Sequence, residues 1–203
     1  MNNILKLVVG VACSTLISMS AQAVVIGFDD ITTADTASLT GNYSGLDFGT
    51  IGSSWSVVSD NEYAGTYGNG YGSVSSQYAV SNTGQLAVDL RSDSAFDFTG
   101  AYFTGWAQGN DIVEFTSTMI TVEGFVGRAS VGSVSMNLSS NGYDWLQADM
   151  LGVTRLVFTS SGSEKRWLMD DLTLNESVSV PEPTTIALLG LGLAGIAFRR
   201  RQK

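Results

Sequence analysis

Trp167-Leu-Met-Asp-Asp-Leu-Thr-Leu174 is the stretch that decides the fold, because apolar side chains recur in it at every second position. In an extended strand this spacing puts Leu168, Asp170, Leu172 and Leu174 on one face. Three of these four residues are leucine, so we expect this face to be buried and Asp170 to point inward. Such a strand must belong to a sheet that covers a hydrophobic core.

A buried carboxylate at Asp170 requires a partner, because an ion that leaves water without one is strongly destabilising. The sequence leaves three kinds of partner open. These are a cation, hydrogen bonds from backbone amides, or an ion pair with Arg155 or Arg166. Calcium binds six to eight oxygen atoms and needs no histidine, so it is the cation that we consider.

The first strand offers further oxygen ligands. Period-two alternation from Val24 places Asp30 on the face of Ile26 and Phe28, and Asp29 on the opposite face. First and last strands of a jelly roll lie in the same region, so one of these aspartates would approach Asp170. The predicted metal ligands are therefore Asp29, Asp30 and Asp170. No cofactor is required, and a structural calcium is the one candidate.

The rest of the central chain consists of short β-favouring runs between Gly, Asn, Asp and Ser residues. No long stretch shows the 3.6-residue period of an amphipathic helix. The predicted strands are Val24–Phe28, Trp55–Val58, Tyr78–Val80, Gln85–Leu90, Phe96–Trp106, Ile112–Phe115, Met119–Val122, Phe125–Val126, Ala129–Leu138, Val153–Thr159 and Arg166–Leu174. We therefore predict an all-β fold, an antiparallel β-sandwich of the jelly-roll type.

Both ends of the chain differ from this β-rich body, which we place at residues 24–179. The first 23 residues contain Lys6, an apolar run, and the small residues Ala21 and Ala23 at cleavage positions, so they are predicted to be a signal peptide. The only cysteine, Cys13, lies within it, so the processed chain would have no disulfide bond. The body has five basic and eighteen acidic residues, a net charge of −13, which argues against binding to nucleic acid.

The C-terminal residues 180–203 combine three features in a fixed order. Val180, Pro181, Glu182 and Pro183 form a rigid start, and an apolar stretch over residues 184–198 follows. As a helix these fifteen residues would span about 22 Å, which is short for a bilayer core of about 30 Å. Arg199, Arg200 and Arg201 then form a basic stop that stays on the cytoplasmic side of the membrane.

This C-terminal order resembles the PEP-CTERM sorting signal of exported bacterial proteins. The resemblance implies a transient transmembrane helix in the inner membrane of a Gram-negative bacterium and cleavage near Pro181-Glu-Pro183 by an exosortase-type membrane protease. Release to the cell surface or to an exopolysaccharide matrix would follow. An ordinary C-terminal membrane anchor is the alternative.

The body has a second resemblance, carried by short motifs. Phe28-Asp-Asp30, Phe98-Thr-Gly-Ala-Tyr-Phe103 and Trp167–Leu174 are similar to the β-sandwich domains of sorted proteins and to galactose-binding-like carbohydrate-binding modules. The resemblance implies a jelly-roll topology and a structural calcium as one possibility, and it does not identify a sugar. Tyr63, Tyr67 and Tyr71 are the candidate sugar contacts, although such rings also cover a core without binding anything.

Catalysis has little support in the sequence. The chain contains no histidine, which excludes Ser-His-Asp and Cys-His chemistry and histidine metal sites. Carboxylate pairs such as Asp93 with Asp97, or Asp144 with Asp149, remain for glycoside hydrolysis. We predict a noncatalytic surface or matrix protein, with a carboxylate-dependent polysaccharide hydrolase or lyase as the alternative.

Overall fold

The computed structural model describes residues 23–49, 55–59, 73–75, 77–106, 115–139 and 142–175. These residues form eleven β-strands and no α-helix, which confirms the all-β prediction. The strands are β1 (Val24–Ile26), β2 (Thr36–Ser38), β3 (Asn42–Tyr43), β4 (Leu46–Asp47), β5 (Ser56–Ser59), β6 (Tyr78–Ser81), β7 (Ala87–Gly105), β8 (Met119–Val126), β9 (Ala129–Asn137), β10 (Asp144–Ser160) and β11 (Trp167–Leu174). The part of the chain that the structure describes holds no helix long and apolar enough to span a membrane.

All paired strands are antiparallel and follow the order β2-β5-β6-β11-β7-β10-β8-β9, with β1 beside β11 and β4 beside β3 and β7. Three register shifts interrupt the pairing of β7 with β10 between Gln147 and Arg155. Asp149 and Gly152 lie there with φ of 49° and 63°. Bulges of this kind bend strands, so β7 and β10 each run through two halves of a folded sheet.

The first half of the sheet contains β2, β5, β6 and β11 with residues 96–105 of β7 and 144–150 of β10. The second half contains residues 87–91 of β7 and 155–160 of β10 with β4, β8 and β9. Trp55, just before β5, has its ring centroid 5.4 Å from that of Phe158 in β10. These strands are four positions apart, about 19 Å in a flat sheet. The halves therefore face each other as a sandwich.

The space between the two halves is filled by large aromatic side chains. Trp167 lies at its centre, with ring centroids of Trp55, Phe103 and Phe158 at 5.6, 5.7 and 5.8 Å. The aromatic side chains that are less than 2% exposed are Trp55, Trp167, Phe28, Phe98, Phe103 and Phe158. Burial of this much apolar surface supplies most of the stabilisation of the fold.

The last strand departs from the predicted alternation. Its residues in the main core are Trp167, Met169, Leu172 and Leu174. Leu168 instead belongs to a small second cluster on the other side of the sheet. The register against β7 shifts between Asp170 and Thr173, and Asp171 has a φ of 49°. This bulge reverses the alternation, so the prediction that the three leucines share one face is wrong. Asp170 is buried, as predicted, but it lies on the outer face of the sheet with Leu168 and does not point into the main core.

Candidate functional site

Asp170 binds the backbone of the segment that leads into β6. The amides of Val74 and Ser75 donate to its Oδ2 atom at 2.8 and 3.1 Å, and the amide of Asp171 donates to its Oδ1 atom at 2.7 Å. The described partners of this carboxylate are thus backbone amides, which was one of the three alternatives that the sequence left open. Hydrogen bonds of this type stabilise the ionised carboxylate.

Asp29 and Asp171 bind the same segment. Asp29 Oδ1 accepts hydrogen bonds from the amides of Gln77 and Tyr78 at 3.0 and 3.1 Å, and the hydroxyl of Ser75 donates to Asp171 Oδ1 at 2.6 Å. We call Asp29, Asp170 and Asp171 the aspartate anchor. It joins the first and last strands, which pair with each other, to residues 74, 75, 77 and 78.

A glycine makes room for the aspartate anchor. A Cβ atom on Gly27 would lie 3.1 Å from Asp29 Oδ2, 3.4 Å from Ser75 Oγ and 3.6 Å from Asp171 Oδ1. Burial raises the pKa of Asp170 to about 7, and the neighbouring charge of Asp171 contributes, against the effect of the three amide donors. Desolvation therefore outweighs hydrogen bonding at this carboxyl group.

The three predicted metal ligands have different surroundings. Asp29 and Asp170 bind one segment, whereas Asp30 accepts a hydrogen bond from the hydroxyl of Tyr43. Burial and this hydrogen bond raise the pKa of Tyr43. Within the described ranges, no three acidic, histidine or cysteine side chains are grouped so that they could hold a metal ion. The oxygen atoms of Asp170 already accept hydrogen bonds from amides, so these contacts favour the amide alternative over calcium.

The two arginines that the sequence offered as partners of Asp170 have other contacts. The guanidinium of Arg155 lies 4.3 Å from the ring centroid of Phe125, and that of Arg166 lies 5.1 Å from the ring of Trp106. Both are cation–π contacts.

A pair of partly exposed aromatic side chains, which the sequence analysis missed, lies on the outer face of the first half of the sheet. Tyr102 in β7 is directly opposite Trp145 in β10, with ring centroids 5.0 Å apart and an interplanar angle of 63°. A Cβ atom on Gly100 would lie 2.6 Å from Cζ2 of Trp145. Only glycine at this position lets the indole lie against the sheet.

Polar side chains on alternate positions of β10 fix the indole. Trp145 Nε1 donates to Gln147 Oε1 at 2.7 Å, and Gln147 Nε2 donates to Asp149 Oδ1 at 2.5 Å. Residues two apart in a strand share a face, so the ring, the amide and the carboxylate line one surface. We call Gly100, Tyr102, Trp145, Gln147 and Asp149 the aromatic face. It combines a hydrophobic ring surface with hydrogen-bond donors and acceptors.

The aspartate anchor borders the aromatic face. Asp170 is directly opposite Tyr102 on the other side of β7, so residues 73–75 are held one strand away from that ring. The candidate sugar contacts Tyr63, Tyr67 and Tyr71 lie outside the described residues.

A polar cleft of ≈ 490 Å³ lies elsewhere, where β3 and β4 meet the bend of β7. Its lining residues are Gly41, Asn42, Asp47, Arg91, Ser92 and Asp93. Arg91 donates from Nε and Nη2 to Asp89 Oδ2, both at 2.7 Å. Among the described lining residues there is no aromatic side chain, so the aromatic face is the stronger candidate for ligand binding.

The carboxylate pairs considered for catalysis are separated along their strands. Asp93 and Asp97 are four residues apart in β7, and Asp144 and Asp149 are five apart in β10. In a fully extended strand these separations would be about 13 to 17 Å, but the bend of β7 at Asp93 and the bulge of β10 at Asp149 shorten them. Glycosidase carboxylates are separated by about 5 to 10 Å. Asp97 Oδ1 also accepts a hydrogen bond from the amide of Gly152 at 2.7 Å. These contacts give glycoside hydrolysis by either pair no direct support.

The C-terminal segment carries the PEP-CTERM protein-sorting motif, which matches residues 179–201. This confirms the prediction made from Val180–Pro183 and Arg199–Arg201, which lie outside the described residues together with Ala21. The motif indicates an exported protein that is sorted through the cell envelope.

No curated protein is a significant match to the chain. Similar solved structures include TmCBM61 in complex with β-1,4-galactotriose, with 13% identity, a TM-score of 0.41, and coverage of 68% of this chain and 92% of that one. A mutant of CBM29-2, a family 29 carbohydrate binding module, has 14% identity and a TM-score of 0.38, with 77% and 94% covered. CBM51 from Clostridium perfringens GH95 in complex with methyl-galactose has 12% identity and a TM-score of 0.35, with 74% and 99% covered.

Proposed function

We propose that this protein is a noncatalytic, exosortase-processed surface or matrix protein whose body binds polysaccharide through the aromatic face. The single observation that carries the binding proposal is the Tyr102–Trp145 pair, seated over Gly100 and extended by Gln147 and Asp149. The sorting motif supports the cellular part of the proposal.

The chemistry of the aromatic face suits a sugar. A pyranose ring presents C–H groups on its faces and hydroxyl groups around its edge, so it packs on an aromatic ring while its hydroxyls reach polar side chains. The indole of Trp145 is fixed before binding, which lowers the entropy lost when a ligand is held. The net charge of −13 on the body would repel a polyanion, so we expect a neutral polysaccharide.

The sorting part of the proposal follows from the order of the tail. An apolar helix over residues 184–198 would hold the exported chain in the inner membrane, with Arg199–Arg201 on the cytoplasmic side. Exosortase would cleave near Pro181-Glu-Pro183 and release the body to the surface or matrix of a Gram-negative cell.

The test is retention of the purified protein in gels that contain the extracted matrix polysaccharide. We expect Trp145→Ala and Tyr102→Ala each to weaken binding about tenfold or more, which corresponds to about 1.4 kcal/mol. Phe125→Ala is the matched control, because Phe125 is a partly exposed ring on the outer face of the second half of the sheet. It should bind like the unmodified protein.

The same samples are assayed for newly formed sugar ends. Release of product would favour the hydrolase or lyase alternative over a binding protein. Equal retention of the Trp145→Ala, Phe125→Ala and unmodified proteins, with unchanged circular dichroism, would rule out the aromatic face as the binding site.

A further inference from the structure

Strand β9 forms one end of the sheet, and within the described residues no strand pairs with its outer side. It has nine residues, Ala129–Asn137, and contains neither a charged residue nor a proline. The opposite end of the strand order is β2, which has three residues. The edge at β9 therefore exposes more unpaired backbone groups than the edge at β2.

An edge like β9 readily binds another strand. Unpaired N–H and C=O groups form a template for a further strand, and proteins usually protect such edges with lysine, proline or very short strands. The one irregularity of β9 is a register shift opposite Gly124 and Phe125, near its beginning. Residues 132–137 continue in regular pairing with β8 and have none of these protections.

Among the described residues, the side chains of β9 also have no neighbour on that side. Val131 is 49% exposed. Val134 and Met136 pack against the main core but remain only partly buried. A strand added beside β9 would cover this row of apolar side chains and satisfy the edge backbone at the same time.

We propose that two copies of this chain pair through β9, in antiparallel orientation about Ser133. The charge of the body favours this surface for pairing with a second copy. The body has a net charge of −13, so most orientations of two approaching copies bring like charges together. The uncharged strand avoids that repulsion. Ser133 is the middle of the nine residues, so a two-fold axis there uses the full strand, with the irregularity at Val131 toward each end of the pairing.

This register also fits the side chains. It places Ser133 opposite its own copy and forms the further pairs Ser130 with Met136, Val131 with Ser135, and Gly132 with Val134. Ala129 with Asn137 completes the nine residues. Every pair contains alanine, serine or glycine, so no two bulky side chains meet. Pairing of β9 with β2 of a second copy would use only three residues. It would leave β2 of the first copy and β9 of the second unpaired, so further copies could add to form a fibre. The closed dimer is therefore favoured over a fibre.

Cysteine cross-linking of the full chain, expressed and exported in cells, tests the register. Directly opposed residues of antiparallel strands have Cα atoms about 4.5 to 5.5 Å apart, which a disulfide accepts. Ser133→Cys should therefore give a reducible dimer on a non-reducing gel. Val131→Cys is the matched control, because its two copies would be offset by about 13 Å and should not cross-link. The unmodified chain controls for Cys13, the only native cysteine.

Sedimentation of the unmodified protein and of Ser133→Lys provides the second measurement. We expect a dimer for the former and a monomer for the latter, because the new lysines would oppose each other across the axis. A monomeric unmodified protein would refute the proposal. A dimer without the Ser133→Cys cross-link would mean that another surface is used. A cross-link to a different protein would show that β9 pairs with another partner and not with a second copy.

Discussion

Replacement of Asp170 tests whether its carboxyl group holds residues 74 and 75 in place and whether burial raises the pKa of that group. Asp170→Ala would leave three backbone amides without their acceptor, those of Val74, Ser75 and Asp171. An unsatisfied buried donor costs about 1 to 3 kcal/mol, and removal of a desolvated carboxylate recovers part of this. We expect a net loss of about 2 to 4 kcal/mol in the free energy of unfolding.

The pH dependence has a definite sign. Because the pKa of Asp170 is raised to about 7, the folded protein keeps a proton that the unfolded chain has already lost above its ordinary pKa of 3.8. The free energy of unfolding should therefore fall as the pH rises from about 4 to about 7, and this contribution should be constant above that range. The pKa difference corresponds to a fall of at most about 4 kcal/mol.

Urea unfolding at several pH values between 4 and 8 measures both effects. Asp170→Asn cannot titrate, so it should lose this part of the pH dependence, and its single oxygen can accept from only some of the three amides. Asp93→Asn is the control, because Asp93 is an exposed acid in the bend of β7. The same pH slope for Asp170→Asn and the unmodified protein would refute the assigned role of burial. Unchanged stability of Asp170→Ala would refute the anchor itself.

Two further predictions concern the tail and calcium. Deletion of residues 181–203 should leave the protein in the periplasm or medium in a form that no exosortase has cleaved, and fractionation with intact-mass measurement would show this. If the protein with and the protein without the tail reach the same location and lose no mass by cleavage, the sorting proposal is contradicted. Calcium and chelator should leave the melting temperature unchanged, because the described partners of Asp170 are amides. Bound calcium at a hundred times its Kd would add about 2.7 kcal/mol. A rise in melting temperature that Asp170→Ala abolishes would instead support the predicted calcium site.

The sequence predicted the fold class because period-two patterns and turn residues are local signals. Ala129–Leu138 was expected as one strand and forms β9 almost unchanged, over Ala129–Asn137. The structure merges two predicted strands into β8, and β10 begins at Asp144, nine residues before the expected Val153. The short strands β2, β3 and β4 were missed, because two or three residues carry no measurable period.

The aromatic face was missed for a different reason. Trp145, Gln147 and Asp149 alternate with Leu146, Ala148 and Met150, so the strand period is present in the sequence. The pairing with Tyr102 and the space above Gly100 come from contacts between distant strands, which no single stretch encodes. The sequence did not predict the bulge in the last strand. Aspartate adopts a positive φ more readily than most residues do, so Asp171 alone does not mark a bulge.

The position of β11 has a mechanical consequence. This last described strand lies inside the sheet, with β7 on one side and β6 and β1 on the other. A pull on the tail beyond residue 175 would therefore enter the molecule at an internal strand. Such a force must shear hydrogen bonds on both sides of β11 together, whereas a strand at the edge would peel away one bond at a time. If polysaccharide binds at Trp145 in β10, a force between the ligand and the tail passes from β10 through β7 to β11. Strand β7 is the one strand between them.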